Sequence, residues 1–365
     1  MKIVISSCFS NNKEIHRSVS GGNSSIMSMI KAMENTKDEV ELLADTVNFS
    51  FLSMLIDLLK QTYLIFKGNI HIHNSDFQKF IFIGASPYPP DLIRGLKYQL
   101  TKNTISHIYF YHLPPHFWWK PTKRGIFRSI LNSAYFSTAV LICKISGMHI
   151  VLNQPNQYKL DKVTVHKQEM AIELLNANIK KSKDIDVLYL GRVSRSKGLK
   201  DLIYAIKLIK DKYELDLVVR IAGPISDQRL YRSLQKRILR YDLHKSIEFI
   251  GKVSETEKNE LFDRSKMFVF PSYEEGWSIS VMEAASKHVP IVAYNLEAYS
   301  YLEGNFFACT IGSNNLVKGI IECLKNKDKT EKYVNEAYKL VCEYNEGKIV
   351  NSKIELFKSE LTQLK

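Results

Sequence analysis

Apolar residues in this chain gather in short runs, separated by longer stretches in which they recur at helical spacing. In the first half the runs are KIVISS (2–7), VELLAD (40–45), FIFIGA (80–85), HIYFYH (107–112) and HIVLNQ (149–154). In the second half they are DVLYLG (186–191), LVVRIAG (217–223), IEFIGK (247–252), MFVFPS (267–272) and PIVAYN (290–295). Several are apolar at consecutive rather than alternate positions, as in parallel strands covered on both faces. Strands alternating with helical stretches predict right-handed βαβ units and two doubly wound sheets, an α/β chain of two Rossmann-like domains. The 365 residues suffice for two cores. Polar, lysine-rich LLNANIKKSKDID (174–186) reads as the linker, with the boundary near Lys180. That gives a first domain over 1–180 and a second over 181–347. Residues 348–365 place Ile349, Ile354, Leu356 and Phe357 among charges, an amphipathic helix expected to pack back on the first domain.

Composition narrows the class. Hydrophobic content of 45% and charged content of 24% are ordinary for a globular protein. The cysteines, Cys8, Cys143, Cys309, Cys323 and Cys342, are odd in number, far apart and without CxxC spacing. They read as buried hydrophobes in a reducing, cytoplasmic setting rather than as disulfides or zinc ligands. The opening MKIVISSCFSNNKE turns polar too soon for a signal peptide and reads as a first strand. The most apolar stretch, 133–152, carries Lys144 near its middle and Gly147 after it, so the expectation is helix, turn and strand rather than a membrane span.

Charge adds a partner class. Of the net +13, residues 94–167 hold eleven Lys or Arg against Asp161 alone, a net of +10. Such a region suits a polyanion: acidic lipid, lipid phosphate or nucleic acid.

Ligands of open α/β sheets sit beyond the carboxyl ends of strands, and four such ends in the second half are chemically loaded. LYLGRVSRSKGLK ends a strand at Gly191, and Arg192 and Lys197 flank the loop that opens the next helix. Two cations beside a positive helix end can cradle a diphosphate. RIAGPIS turns at Gly223, and IEFIGKVSE leaves its strand through Lys252-Val253, whose backbone can meet a base edge. In FVFPSYEEGWSISVMEAAS a helix is expected to begin between Ser278 and Ser280 and to run through Ser286. The amides of Trp277, Ser278, Ile279 and Ser280 then point at the mouth of the sheet. Glu275 lies just ahead, with Gly276, and Glu283 about a turn inside. A diphosphate repels carboxylates, so these two acids suit hydroxyls, each able to accept both bonds of a vicinal diol. Neither a P-loop nor a dinucleotide fingerprint occurs. Asp184-Ile185-Asp186 has the form of a DxD metal motif but sits at a strand entrance and reads as solvated, with no metal expected.

The strings GR-x4-KG (191–198), F-x-G (249–251) and PS-x2-EG-x6-EA (271–284) resemble retaining glycosyltransferases of family 4, which have the GT-B fold, and the acid pair matches that family's E-x7-E signature. The resemblance implies two Rossmann-like domains facing a cleft and a nucleoside-diphosphate sugar as donor, with no cofactor. It implies that Arg192 and Lys197 hold the diphosphate, Glu283 the ribose, Glu275 the donor sugar and Lys252-Val253 the base. Two features depart from the family: Ser278 stands where a second glycine is common, and no Asn-Gly turn precedes the linker. Gly21-Gly22 resembles the glycine-rich loop after the first strand, and His112, at the end of HIYFYH, resembles the active-site histidine. His116 could exchange roles with it.

The resemblance implies transfer of the sugar, with retention, to an acceptor hydroxyl in the synthesis of a cell-surface glycan or glycolipid. The alternative is a catalytically silent nucleotide-sugar-binding subunit. Trp118 and Trp119 beside Lys120, Lys123, Arg124 and Arg128 suit an acidic bilayer interface and a glycan or lipid-linked acceptor at the cytoplasmic face. Nucleic acid is not expected as a partner.

Overall fold

The protein is described by a computed structural model covering residues 2–7, 39–44, 79–84, 89–100, 104–110, 126–152, 160, 162–167, 171–174 and 182–363. The chain divides into two compact units. Unit 1 comprises residues 1–171 and 346–365, and unit 2 comprises Ile172–Asn345. The division at Ala171 falls ahead of the Lys180 boundary expected from linker composition.

In unit 1, six parallel strands form one sheet: β1 (Lys2–Ser7), β2 (Glu39–Ala44), β3 (Phe80–Gly84), β4 (Thr104–Phe110), β5 (His149–Leu152) and β6 (Val165–Lys167), in the order β2-β1-β3-β4-β5-β6. Every residue of β3 and β4 is buried, which is why these strands read as continuous apolar runs. The sequence places the fourth strand at 107–112; it begins earlier, at Thr104, and residues 111–112 lie outside the described residues. Helices α1 (Pro89–Gln99) and α2 (Ile126–Ser146) are described between strands. Gly147, at φ 73°, turns α2 into β5, so the apolar stretch 133–152 is helix, turn and strand. At the carboxyl end of β1, Ser6 donates to Asp91 at 2.7 Å and accepts from Arg94 at 3.1 Å, fastening α1 to the sheet.

Unit 2 repeats the plan with β7 (Ile185–Leu190), β8 (Val219–Ala222), β9 (Ile247–Gly251), β10 (Ser265–Phe270), β11 (Ile291–Tyr294) and β12 (Phe307–Cys309), ordered β12-β11-β10-β7-β8-β9 and all parallel. Helices α3 (Leu199–Tyr213), α4 (Gln228–Arg240), α5 (Glu255–Asp263), α6 (Ile279–Ser286), α7 (Ser313–Lys325) and α8 (Lys327–Cys342) alternate with or follow the strands. Their starts follow local chemistry. Asp227 accepts the Leu230 amide at 2.9 Å, and Ser254 with Glu257 forms a reciprocal capping box at the head of α5. The short edge strands β6 and β12 were not foreseen from the apolar runs.

Helix α9 (Glu346–Gln363) returns to unit 1 and packs against β3 and β4. Its buried face is Ile349, Val350, Ile354, Phe357, Glu360 and Leu361. Leu356, expected on that face, is exposed instead because it falls off the stripe in helical phase.

Candidate active site

In unit 2 the chain lays β7, β8 and β9 outward in one direction, then returns to place β10, β11 and β12 on the other side of β7. The strand order reverses between β7 and β10, and at the carboxyl ends of two such strands an open sheet forms its ligand crevice. The segments that leave this point are 191–198 and 271–278, which contain seven of the candidate residues: Gly191, Arg192, Lys197, Glu275, Gly276, Trp277 and Ser278.

Backbone contacts join the two segments. Gly198 adopts φ 68°, and a Cβ there would stand 1.8 Å from the Pro271 carbonyl oxygen. A side chain is excluded, so glycine lets the loops touch. The Tyr273 amide and the Ser272 hydroxyl both donate to Ser196 O, at 2.8 and 3.2 Å. This contact sets Lys197 Nζ directly on Glu275 Oε1, both side chains largely buried, with the ammonium 5.3 Å from the centroid of the Phe270 ring. Asp201, in the first turn of α3, accepts from the hydroxyls of Tyr273 at 2.8 Å and Tyr294 at 2.7 Å and so pins the second loop.

A second pair joins α6 to α5. Glu283 Oε1 meets Lys258 Nζ of α5 at 2.6 Å, with the lysine 11% and the glutamate 13% exposed. Lys258 also reaches Glu255 Oε2 at 2.5 Å. Burial pushes the Glu283 carboxyl above its ordinary range, against the pull of Lys258. Burial likewise lowers Lys258, but the two carboxylates together outweigh it and leave the lysine raised. Charge on Glu283 therefore depends on its lysine. Glu275 stands near three buried phenols. Burial first, and the Glu275 charge second, lift Tyr189 and Tyr299 well above the usual tyrosine range; for Tyr301 burial leads, followed by Tyr344 and then Glu275.

Helix α6 begins at Ile279 and ends at Ser286, within the bounds expected from sequence. Ser278 is its N-cap in extended conformation, and its side chain caps none of the first amides. The positive helix end is thus left to interact with an anion. Trp277 is turned inward: its ring stacks on Tyr301 at 4.9 Å, stands edge-on to Tyr344 at 5.5 Å, and its Nε1 donates to Met282 Sδ at 2.8 Å. Its indole packs against the core and is partly buried there.

The neighbouring strand ends are in register with these. The Gly191 amide donates to Ala222 O at 2.9 Å and the Gly223 amide to Gly251 O at 2.7 Å. Gly223, at φ 138°, would carry a Cβ 2.1 Å from Gly191 O, so the close approach again demands glycine. Beyond Gly251, Lys252 is exposed and Val253 packs on the core. Arg192 is exposed, and its carbonyl accepts the Tyr189 hydroxyl at 3.1 Å.

Gly191, Lys197, Glu275, Gly276, Ser278, Ile279, Ser280 and Glu283 are therefore gathered on the loops and helix end at the β7–β10 reversal, with Arg192 on the same loop and Gly223, Lys252 and Val253 at the next two strand ends. Gly21, Gly22, His112, His116, Trp118, Trp119, Lys120, Lys123 and Arg124 lie outside the described residues. The sequence reading missed Lys258 and Asp201. Lys258 had one available signal, a cation one turn into the helix that follows β9. The DxD-like pair needs correction as to solvation: Asp186 is only 14% exposed, accepts the Val218 amide at 2.7 Å and pairs with Lys266 at 2.8 Å. Asp184 pairs with Arg264, whose hydrogen bond holds its carboxyl down at about 2. Among the described residues no helix is long and apolar enough to cross a membrane.

Residues 171–340 match the model of the family described as glycosyl transferases group 1. The alpha-galactosylglucosyldiacylglycerol synthase of Streptococcus pneumoniae is 25% identical over 175 residues, 47% of this chain and 44% of that protein. An uncharacterized glycosyltransferase of Methanocaldococcus jannaschii is 29% identical over 261 residues, 65% of this chain and 59% of that one. The chain thus spans about half the length of these curated relatives. Among solved structures, Anabaena HepE in complex with UDP and glucose superposes with a TM-score of 0.69 at 15% identity, over 98% of this chain and 100% of that one. Sucrose-phosphate synthase from Thermosynechococcus elongatus gives 0.77 at 12% identity, over 99% of each. At such identities the likeness is one of fold, and it runs the length of both chains. The chain has the GT-B fold of these glycosyltransferases, and its residues 171–340, which include both lysine–glutamate pairs, are similar to the glycosyl transferases group 1 family.

Proposed function

We propose that this chain is a retaining glycosyltransferase that moves a sugar from a nucleoside-diphosphate sugar to an acceptor hydroxyl. The observation that carries the reading is the pair of largely buried lysine–glutamate contacts at the strand-order reversal, one with Glu275 of the loop ahead of α6 and one with Glu283 within α6. An anion at the helix end draws Lys197 and Arg192 to the diphosphate, and Glu275 is then left to accept from hydroxyls of the donor sugar. Glu283, kept ionised by Lys258, accepts from the ribose diol. Gly223 and Lys252-Val253 border the base.

In the transition state negative charge grows on the leaving diphosphate, where two cations and a helix dipole already point. No side chain of the site is placed as a nucleophile. The acceptor attacks on the face that the diphosphate leaves, and the leaving group helps to take its proton. The chemistry uses no cofactor.

HepE is solved with UDP and glucose, and the pneumococcal O-GlcNAc transferase GtfA with UDP and GlcNAc, which supports a nucleotide-sugar donor for this fold. The pneumococcal glycolipid synthase among the relatives, together with Trp118, Trp119 and the surrounding cations, supports a lipid-linked acceptor at the cytoplasmic membrane face. The test is donor turnover by wild type, Lys197→Ala and Glu283→Gln, with the product anomer read by NMR. Both variants are expected to lose at least tenfold in kcat/KM, Glu283→Gln chiefly through donor KM, with the anomeric configuration kept. Wild-type kinetics in both variants, or an inverted product, would overturn the proposal.

A further inference from the structure

Unit 1 contains a cluster that the donor site does not use. His107 lies in mid β4, His149 opens β5 and His166 is the middle residue of β6. Register places all three on one face. His107 pairs with His149 across β4 and β5, and Val151, two residues on from His149, pairs with His166 across β5 and β6. Glu360 of α9 descends onto this face, 253 residues from His107 in sequence.

Four atoms converge. His107 Nε2 is 2.8 Å from Glu360 Oε2, while His149 Nδ1 and His166 Nε2 are 3.2 and 3.1 Å from Glu360 Oε1. The His149 and His166 nitrogens are 3.1 Å apart, and the four ligand atoms all lie within 4.8 Å of one another. Zinc bonded to nitrogen or oxygen at about 2.0–2.1 Å in tetrahedral geometry separates its ligand atoms by about 3.3 Å, close to these spacings.

Hydrogen bonding alone satisfies the cluster poorly. Glu360 Oε1 and the His149 and His166 nitrogens form a triangle with three short edges, and each imidazole nitrogen has at most one proton to offer, in one direction. At least one edge therefore sets lone pair against lone pair, or N–H against N–H. A divalent cation within the group turns every lone pair into a ligand bond. Burial is deep on one side: His107 is 1% and Glu360 7% exposed, and the His107 ring lies 5.2 Å from that of Phe357.

We propose that His107, His149, His166 and Glu360 form a structural zinc site that ties α9 to the sheet of unit 1. Three imidazoles and one carboxylate are a donor set suited to zinc, and four protein ligands leave no open position, as in structural rather than catalytic centres. Its place in mid-sheet agrees, since the substrate-binding edge of a parallel sheet is at the carboxyl ends of its strands. The whole of unit 2 lies in sequence between its strand ligands and Glu360, so the metal closes a long loop and stabilises the return of α9. The expectation of a chain without metal, drawn from cysteine and DxD spacing, is revised by this site.

The full-length protein is tested after purification and again after chelation. One zinc per chain is expected by elemental analysis. Added Co2+ should give the visible bands of four-coordinate cobalt, and one equivalent of Zn2+ should raise the melting temperature of the chelated protein by several degrees. His149→Ala/His166→Ala should lose the cobalt bands and the shift, and Glu360→Gln should weaken both, while the nucleotide-induced thermal shift of unit 2 persists as evidence of folding. If wild type takes up no stoichiometric metal, gives only six-coordinate cobalt, or binds metal as the double variant does, the site is refuted. None of these readouts depends on glycosyl transfer.

Discussion

Replacing Lys258 by methionine tests the electrostatics of the candidate site directly. Methionine keeps the apolar stem and removes the ammonium, so a carboxyl that is 13% exposed loses its partner at 2.6 Å. Truncating one member of a buried pair costs about 3–5 kcal/mol if the orphan stays charged. Glu283 has an escape, since it can take up a proton. At pH 7 protonating a carboxyl of ordinary pKa 4.5 costs about 3.4 kcal/mol, which caps the damage. The cap falls to about 2 kcal/mol at pH 6 and to about 0.7 kcal/mol at pH 5. The sign follows from linkage. A carboxyl whose folded pKa is raised binds more protons when folded than when unfolded, so its penalty grows as pH rises through the unfolded value toward the raised one and fades as pH falls. Urea unfolding midpoints of wild type, Lys258→Met and Lys258→Met/Glu283→Gln at pH 7, 6 and 5 provide the measurement. The single variant should lose most at pH 7 and nearly nothing at pH 5, and the double variant should lose less than about 1 kcal/mol throughout. A loss in Lys258→Met that is equal at pH 7 and pH 5 would refute the reasoning, because an orphaned carboxylate could not be its cause.

Gly198→Ala introduces a Cβ 1.8 Å from the Pro271 carbonyl at φ 68°; we expect a loss of at least about 2 kcal/mol in thermal unfolding and a matching loss of nucleotide binding as Lys197 and Glu275 separate. Normal nucleotide binding in that variant would show that the two loops need not touch. The buried Tyr299 hydroxyl has no hydrogen-bond partner among the described residues, so Tyr299→Phe should be neutral or raise stability by up to about 1 kcal/mol in the same assay.

The central strands and the starts of α3, α5 and α6 were legible in the sequence because their causes are local. A parallel strand covered on both faces must be apolar at successive positions, and Met267–Phe270, fully buried in β10, is the clearest case. The bounds of α6 followed from Ser278 and the apolar positions after it. Edge strands β6 and β12 were missed because three residues, partly exposed, carry no periodic signal. The loops of the site were legible as strand ends, but their pairings were not. Lys197 and Glu275 are 78 residues apart, Lys258 and Glu283 are 25 apart, and which cation meets which acid depends on the reversal of strand order between β7 and β10. The histidine cluster shows the same division. Alternation along a strand tells which residues share its face, but only the sheet order made β4, β5 and β6 neighbours, and only the helical phase of α9 turned Leu356 outward and Glu360 in. Sequence determined what each segment could become, because burial patterns and caps act within a few residues. Tertiary structure decided which segments meet, because an ion pair or a metal site is defined by distances between parts of the chain that are remote in sequence.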